Sequence, residues 1–431
     1  MKGTFQLILI IIFIAGAIFG VLVFSGAIPL GGGSENTATG TVVLWGTTSS
    51  AVMSPILEEF NKANKTFSVS YEQKSADSFD QNLLEALASG AGPDMFFLPD
   101  NLAFHYSNKI FPIPYTSYPL VTFKNTFAGA GEVFLTSGGI LAFPITIDPL
   151  MLYYNRSMLD SNSIIYPPKT WNELATQAQL LTKKDGTNKI IKSAVGLGDF
   201  SNVAHAKDIL VAMFMQAGNP IVTAKNESLS SSLDDFISGE VDLGSILQYY
   251  ISFADPASPM YSWNKSFPNS TNAFSSEDAA FYFGFASEFQ FLVNRNPNQN
   301  LGVAPIPQLG DASSKLTAGR VTGLAISSAT KNLATAFTAA SLIATGNFAS
   351  KLSNALATPP ARRDLLAAKP GDSYSPIFYD SALYGKSWLD PSPDGTNNIF
   401  RTMVESTLSN NRTASDAVDD ASSKLDLLLL R

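Results

Sequence analysis

Apolar and polar positions follow three different patterns along this chain. From Leu7 to Phe24 the sequence is unbroken apolar residues and glycine. Beyond it, short apolar runs alternate with amphipathic stretches. Thr41-Val-Val-Leu-Trp45 followed by Gly46-Thr-Thr-Ser-Ser reads as a buried strand running into a polar loop. Ser54 is placed as a helix cap with Pro55 at the first position, and Ile56, Leu57 and Phe60 as the buried stripe. Phe67-Ser-Val-Ser-Tyr71 alternates as a strand does. Ser78-Phe-Asp-Gln81 is a capping box ahead of Leu83, Leu84 and Leu87. Met95-Phe-Phe-Leu98 is a further buried strand, ending at Pro99-Asp100-Asn101. Strand, helix, strand, helix, strand predicts an α/β unit with a parallel sheet. Such sheets bind ligands at the carboxyl ends of their strands, which singles out Thr47, Thr48, Asp100 and Asn101.

The pattern continues through a second region beginning after Gly139-Ile-Leu-Ala-Phe-Pro144. Thr170-Trp-Asn-Glu173 is another capping box, with the helix running on to Leu181. A later helix spans Asn332 to Thr345 and stops at Gly346, and a final one starts at Thr413-Ala-Ser-Asp416. No clean linker separates these regions, so the domains are read as interleaved.

Residues 1–30 are a membrane anchor or a signal segment. The 18 residues of Leu7–Phe24, at about 1.5 Å each, nearly cross a hydrocarbon core of about 30 Å. Ser25-Gly26-Ala27 would also serve as a cleavage site, so an uncleaved anchor and a cleaved signal both stand. Lys2 keeps the short end inside and places the rest outside the cytoplasmic membrane. Residues 31–40, opening on Gly31-Gly32-Gly33-Ser34, read as a flexible tether.

Composition narrows the chemistry. With 28 Lys+Arg against 36 Asp+Glu the net charge is −8, which argues against a nucleic-acid partner. Two His and no Cys exclude cysteine-based zinc sites, iron–sulfur clusters, disulfides, cysteine nucleophiles and a lipidated N-terminus. No metal or cofactor is expected, and the chain is expected to be a monomer. Carboxylates, hydroxyls, amides and 48 aromatics (30 Phe, 14 Tyr, 4 Trp) remain.

Several segments together resemble the family-1 extracellular solute-binding proteins, the maltose-binding-protein-like receptors of ABC importers. They are Val43-Leu-Trp-Gly46, Glu58-Glu-Phe-Asn61, Leu84-Glu-Ala-Leu-Ala-Ser-Gly90 and Gly92-Pro-Asp94. Leu152-Tyr-Tyr-Asn-Arg156, Pro167-Pro-Lys-Thr-Trp-Asn-Glu-Leu174, Gly302-Val-Ala-Pro-Ile-Pro307 and Gly319-Arg-Val-Thr-Gly-Leu-Ala-Ile-Ser327 follow in order. The resemblance implies an α/β, two-lobed periplasmic-binding-protein fold of the class II type with a ligand cleft at the hinge. Its lobes would be 41–147 with 318–358, and 148–317 with 359–431. It also implies a receptor delivering a solute, by preference a carbohydrate, to ABC permease subunits. Site positions carry over to Thr47, Thr48, Asp100 and Asn101 in the first lobe, to Asp148 at the first crossing between lobes, and to Asn202 and Phe285 in the second. Leu98 and the absence of Trp after Gly284 depart from the maltose-type pattern and speak against a maltodextrin.

Trp263 and Trp388 lie in Pro-, Ser- and Asn-rich loops, and Arg320 follows Gly319 at the presumed hinge; all three are further candidates for the ligand. Trp171 reads as core, and His105 and His205 as ordinary partly buried histidines, since no metal-ligand spacing joins them. A membrane-tethered glycoside hydrolase using Asp100 and Asp148 is the enzyme alternative, and a sensor or adhesin on the same fold is another.

Overall fold

The computed structural model describes residues 38–225, 228–235, 241–310 and 314–430. The apolar stretch Leu7–Phe24 and most of the proposed tether lie outside them. The first predicted alternation folds as a parallel unit. Strand β1 (Gly40–Gly46) pairs in parallel with β2 (Phe67–Gln73) and β3 (Met95–Pro99), and helices Ser50–Ala63 and Phe79–Ser89 make the crossovers. The first helix begins a turn earlier than Ser54, with Ser49 before it and Pro55 inside. Its apolar stripe starts at fully buried Met53, and burying that side chain draws the preceding turn into the helix. At the second helix Ser78 makes no side-chain cap, because Ala76–Ser78 already form a 3₁₀ turn; its hydroxyl instead accepts from Asn82 Nδ2 at 2.9 Å. Thr170 does cap its helix: its hydroxyl oxygen accepts from Glu173 N at 3.1 Å, while the Glu173 carboxylate reaches back to Lys169 N at 2.6 Å.

Seven further strands complete one ten-stranded sheet: β4 (Ala142–Asn155), β5 (Lys183–Lys184), β6 (Ile190–Val195), β7 (Ala279–Phe285), β8 (Leu301–Pro305), β9 (Thr317–Ile326) and β10 (Gly385–Lys386). Its order is β2-β1-β3-β9-β4-β7-β6-β5, with β8 also on β4 and β10 on β9. Strand β4 is the spine. Ala142 to Pro149 pair antiparallel with β9, and from Leu150 onward the strand pairs with β7 and β8. Pro149, opposite Gly319, is the last β4 residue in register with β9 before the change of partner at Leu150. A register shift at Thr322/Gly323 leaves Ile145 out of the β9 ladder, and its carbonyl accepts from Ala361 N at 2.9 Å instead.

The buried side chains form two separate cores. One collects Val42 through Ile147 with Val321 through Leu366, and the other collects Leu150 through Ala318 with Phe400, Val418 and Leu425. The break falls within β4 and again within β9, so the chain passes between cores at these strands. The expected return at 359 comes later. Ala361, Leu366, Tyr379 and Ala382 are buried in the first core, whereas Phe378 joins the second; the helix Ser375–Leu383 packs along β4 and serves both. Among the described residues no helix is long and apolar enough to cross a membrane.

At Gly323, β9 packs tightly against Ala142 of β4 and the Phe134 ring. A Cβ there would meet Ala142 Cβ and the Phe134 ring, each at 2.7 Å. Gly323→Ala should therefore cost about 1–3 kcal/mol by overpacking, read as a lower urea midpoint.

Candidate functional site

A cleft of about 1300 Å³ opens between the two cores. From the first core, β3 delivers Asp100 and Asn101 at its carboxyl end, as parallel topology requires, and a short 3₁₀ turn follows with Leu102, Phe104 and His105 also on the wall. Thr47, after β1, lies on the rim. The floor is the paired crossing of β4 and β9, where Asp148 is in register with Arg320. From the second core come Lys207, Asp208 and Val211, on helix Ala206–Gln216, and Phe285 at the end of β7. The segment after β10 brings Ser387, Trp388 and Asp390 across.

Both floor-side aspartates are short of solvent. Asp100 is 7% exposed and accepts from Asn101 N at 3.0 Å and from the Ser387 hydroxyl. Asp148 accepts from Ser287 N at 2.9 Å. Desolvation pushes each carboxyl up from 3.8 to about 6, against the opposing pull of these hydrogen bonds and of the Arg320 charge. The consequence for stability has a definite sign. A carboxyl near 4 in the unfolded chain and about 6 in the folded one binds more protons when folded. That contribution is full below about pH 4 and is lost as pH rises through about 6. Without ligand, the melting temperature should rise as pH is lowered from 7.5 to 5, and Asp100→Asn with Asp148→Asn should flatten the profile. The same pH profile in both proteins would contradict this.

Arg320 is clamped. Its Nη2 donates to Asp208 Oδ2 at 2.9 Å and lies 3.3 Å from His205 Nδ1. The guanidinium carbon sits 3.7 Å from the Phe285 ring centroid, a stacked arrangement that lysine would not reproduce. His205 is held in turn by Glu288 Oε1, 2.7 Å from its Nε2, and by an edge-on contact with Phe285. It adopts a left-handed backbone, φ 58°, just before helix Ala206–Gln216, a conformation costing about 1–2 kcal/mol for a residue with a Cβ. Desolvation works against the Glu288 carboxylate, yet His205, Tyr282 and the Phe285 amide hold it below its ordinary value. On the opposite side Lys207 Nζ pairs with buried Asp390 at 2.8 Å and lies 5.9 Å from the Trp388 ring centroid.

Thus the cleft brings together Thr47, Asp100, Asn101, Asp148, Phe285, Arg320 and Trp388. Three other candidates lie elsewhere. Asn202 donates through Nδ2 to the carbonyls of Asn264 and Phe267, both at 3.0 Å, and accepts from Trp263 Nε1 at 2.8 Å. Trp263 is fully buried and stacks on Phe267 at 4.5 Å. Both are committed to holding a loop, with no polar atom left for a ligand. Thr48 is off the cleft wall and gives its carbonyl to the Tyr71 hydroxyl at 2.6 Å. Trp171 packs on Phe283 in the core. Sequence reasoning missed Phe104, Lys207, Asp208, Ser387 and Asp390. Of these, Asp208 alone carried a signal, as an acid in the first turn of a helix next to an already suspected loop. His205 also departs from an ordinary histidine through its contacts with Arg320 and Glu288.

Two cores sharing crossing strands, with a polar and aromatic cleft at the join, define a two-lobed hinged binding protein. The family model for bacterial extracellular solute-binding proteins matches residues 45–345, and the chain belongs to that family. No curated protein matches it. Among solved structures it is similar to the sugar-binding protein MalE from the phytopathogen Xanthomonas citri, at 17% identity and TM-score 0.73 over 90% of this chain and 97% of that one. The GacH receptor of Streptomyces glaucescens, solved unliganded and with acarbose, gives 19% identity and TM-score 0.67 over 91% and 99%. An ABC transporter solute-binding protein from Thermotoga lettingae, bound with α-D-tagatose, gives 20% and 0.62 over 91% and 100%. At these identities the likeness speaks for the fold.

Proposed function

We propose that this protein is an extracytoplasmic carbohydrate receptor that closes on its ligand and presents it to ABC permease subunits. One observation supports this most directly: carboxylates (Asp100, Asp148), an amide (Asn101) and aromatic faces (Phe104, Trp388) line a single cleft between the lobes. Sugars need that combination, since their hydroxyls bond to carboxylates and amides while pyranose faces rest on flat rings. Saccharides in the solved relatives bear on the same reading. In our reading the lobes are the two cores, and they bend about the crossings at Asp148–Pro149 and Gly319–Arg320. Thr47, Asp100, Asn101, Asp148, Phe285, Arg320 and Trp388 are the proposed ligand contacts. Leu7–Phe24, with Lys2 before it, is proposed to hold the receptor at the outer face of the membrane.

A thermal-shift screen of the full chain against mono- and oligosaccharides tests the reading. A ligand at a hundred times its Kd stabilises by about 2.7 kcal/mol, several degrees in melting temperature. Trp388→Ala should reduce that shift without lowering the ligand-free melting temperature comparably. Turnover of any glycoside at enzymatic rates would replace the receptor by a hydrolase.

A further inference from the structure

The charges of the cleft do not balance. Its wall carries six aspartates against two lysines and one arginine. Two of those bases are already matched, Arg320 by Asp208 at 2.9 Å and Lys207 by Asp390 at 2.8 Å. The remaining base, Lys386, lies against Gly129 and is in no ion pair among the described residues. Asp100 and Asp148 therefore face the cleft with no lysine or arginine at ion-pair distance, their partners being amides and a hydroxyl. The Arg320 charge acts on both, but its hydrogen bond goes to a third acid, Asp208. Neutral hydroxyls would satisfy the lone pairs of these carboxylates but leave their charge uncompensated once the lobes exclude water. An ammonium supplies donors and charge together, and its hydrogen bonds to a carboxylate are the stronger kind. The Trp388 face in the same cleft offers a cation or a sugar ring a second favourable surface.

We propose that the solute is a saccharide bearing a free amino group, whose ammonium is received by the carboxylates of Asp100 and Asp148 on the cleft wall. This rests on the receptor reading above and names the ligand class of the same cleft. It predicts a preference with a pH signature. The ammonium gains most when both carboxylates are ionised, so its advantage over a neutral analogue shrinks as pH falls through about 6. The charged and titratable groups around the two aspartates are Arg320 on the floor, His205 and Asp208 from the second core, and Glu288 near Asp148.

The test is calorimetric titration of the full chain in detergent with matched sets: glucosamine, N-acetylglucosamine and glucose; galactosamine and galactose; a chitosan trimer and its fully N-acetylated counterpart; and maltotriose. At pH 7 at least one free-amine sugar should bind ten-fold or more tighter than its acetylated or neutral partner. At pH 5 that ratio should fall several-fold, and Asp148→Asn should reduce it towards one at pH 7. The wild-type pH series stands even where the variant folds poorly. Neutral or acetylated sugars binding as tightly as every free amine would overturn the proposal and leave the receptor reading intact. Binding of no saccharide, amino or neutral, would overturn both.

Discussion

Asp148→Ala should weaken saccharide binding ten- to a hundred-fold while the ligand-free chain stays folded. Asp148 lies at the crossing of β4 and β9, opposite Arg320 in the ladder, and accepts from Ser287 N at 2.9 Å. In a closed cleft its loss leaves ligand donors facing no acceptor, at about 1.5–3 kcal/mol for each charge-assisted bond, and about 1.4 kcal/mol is tenfold in Kd. In the open, ligand-free state water reaches the Ser287 amide, so the fold itself loses little. Asp148→Asn separates the two roles, because its amide oxygen still accepts from Ser287 while the charge is gone. Calorimetric affinity and ligand-free melting on both variants are the measurements. Unchanged affinity with several degrees lost from the ligand-free protein would make Asp148 a brace of the hinge.

Trp263→Ala should do the reverse, costing about 3–5 kcal/mol of stability with the Kd of any bound sugar held within about two-fold. The indole is fully buried, stacks on Phe267 and donates to Asn202. Truncation leaves a cavity and strands Asn202 Oδ1, which then serves only as an orphaned buried acceptor. Denaturant midpoints of the full chain report the first effect and titration reports the second. A large loss of affinity with stability intact would return Trp263 to the ligand.

These two tryptophans mark where sequence reading reached its limit. Trp263 and Trp388 sit in loops of like composition, and composition reports that a backbone is solvated, not where its indole points. Trp263 is turned inward by Asn202, 61 residues earlier in the chain. Trp388 is held in the cleft by neighbours anchored on both lobes, Ser387 to Asp100 and Asp390 to Lys207. Both arrangements depend on partners distant in sequence, which no local pattern encodes.

The alternation of short apolar runs and amphipathic stretches determined the α/β class, the parallel unit β1–β3 and the position of Asp100 and Asn101, because side-chain period and capping are local properties. Asp94, the end of the Gly92-Pro-Asp94 motif, is structural: its carboxylate accepts from Val43 N at 2.9 Å. Only the tertiary structure decided the rest. The division of β4 between two cores comes from a change of strand partner after Pro149. The clamp on Arg320 comes from Asp208, His205 and Phe285, which lie 35 to 115 residues away in the chain. The raised Asp100 and Asp148 carboxyls come from burial by both lobes and the strands that join them. Periodicity places residues on a strand or a helix face, whereas electrostatics and burial arise only when distant segments close around them.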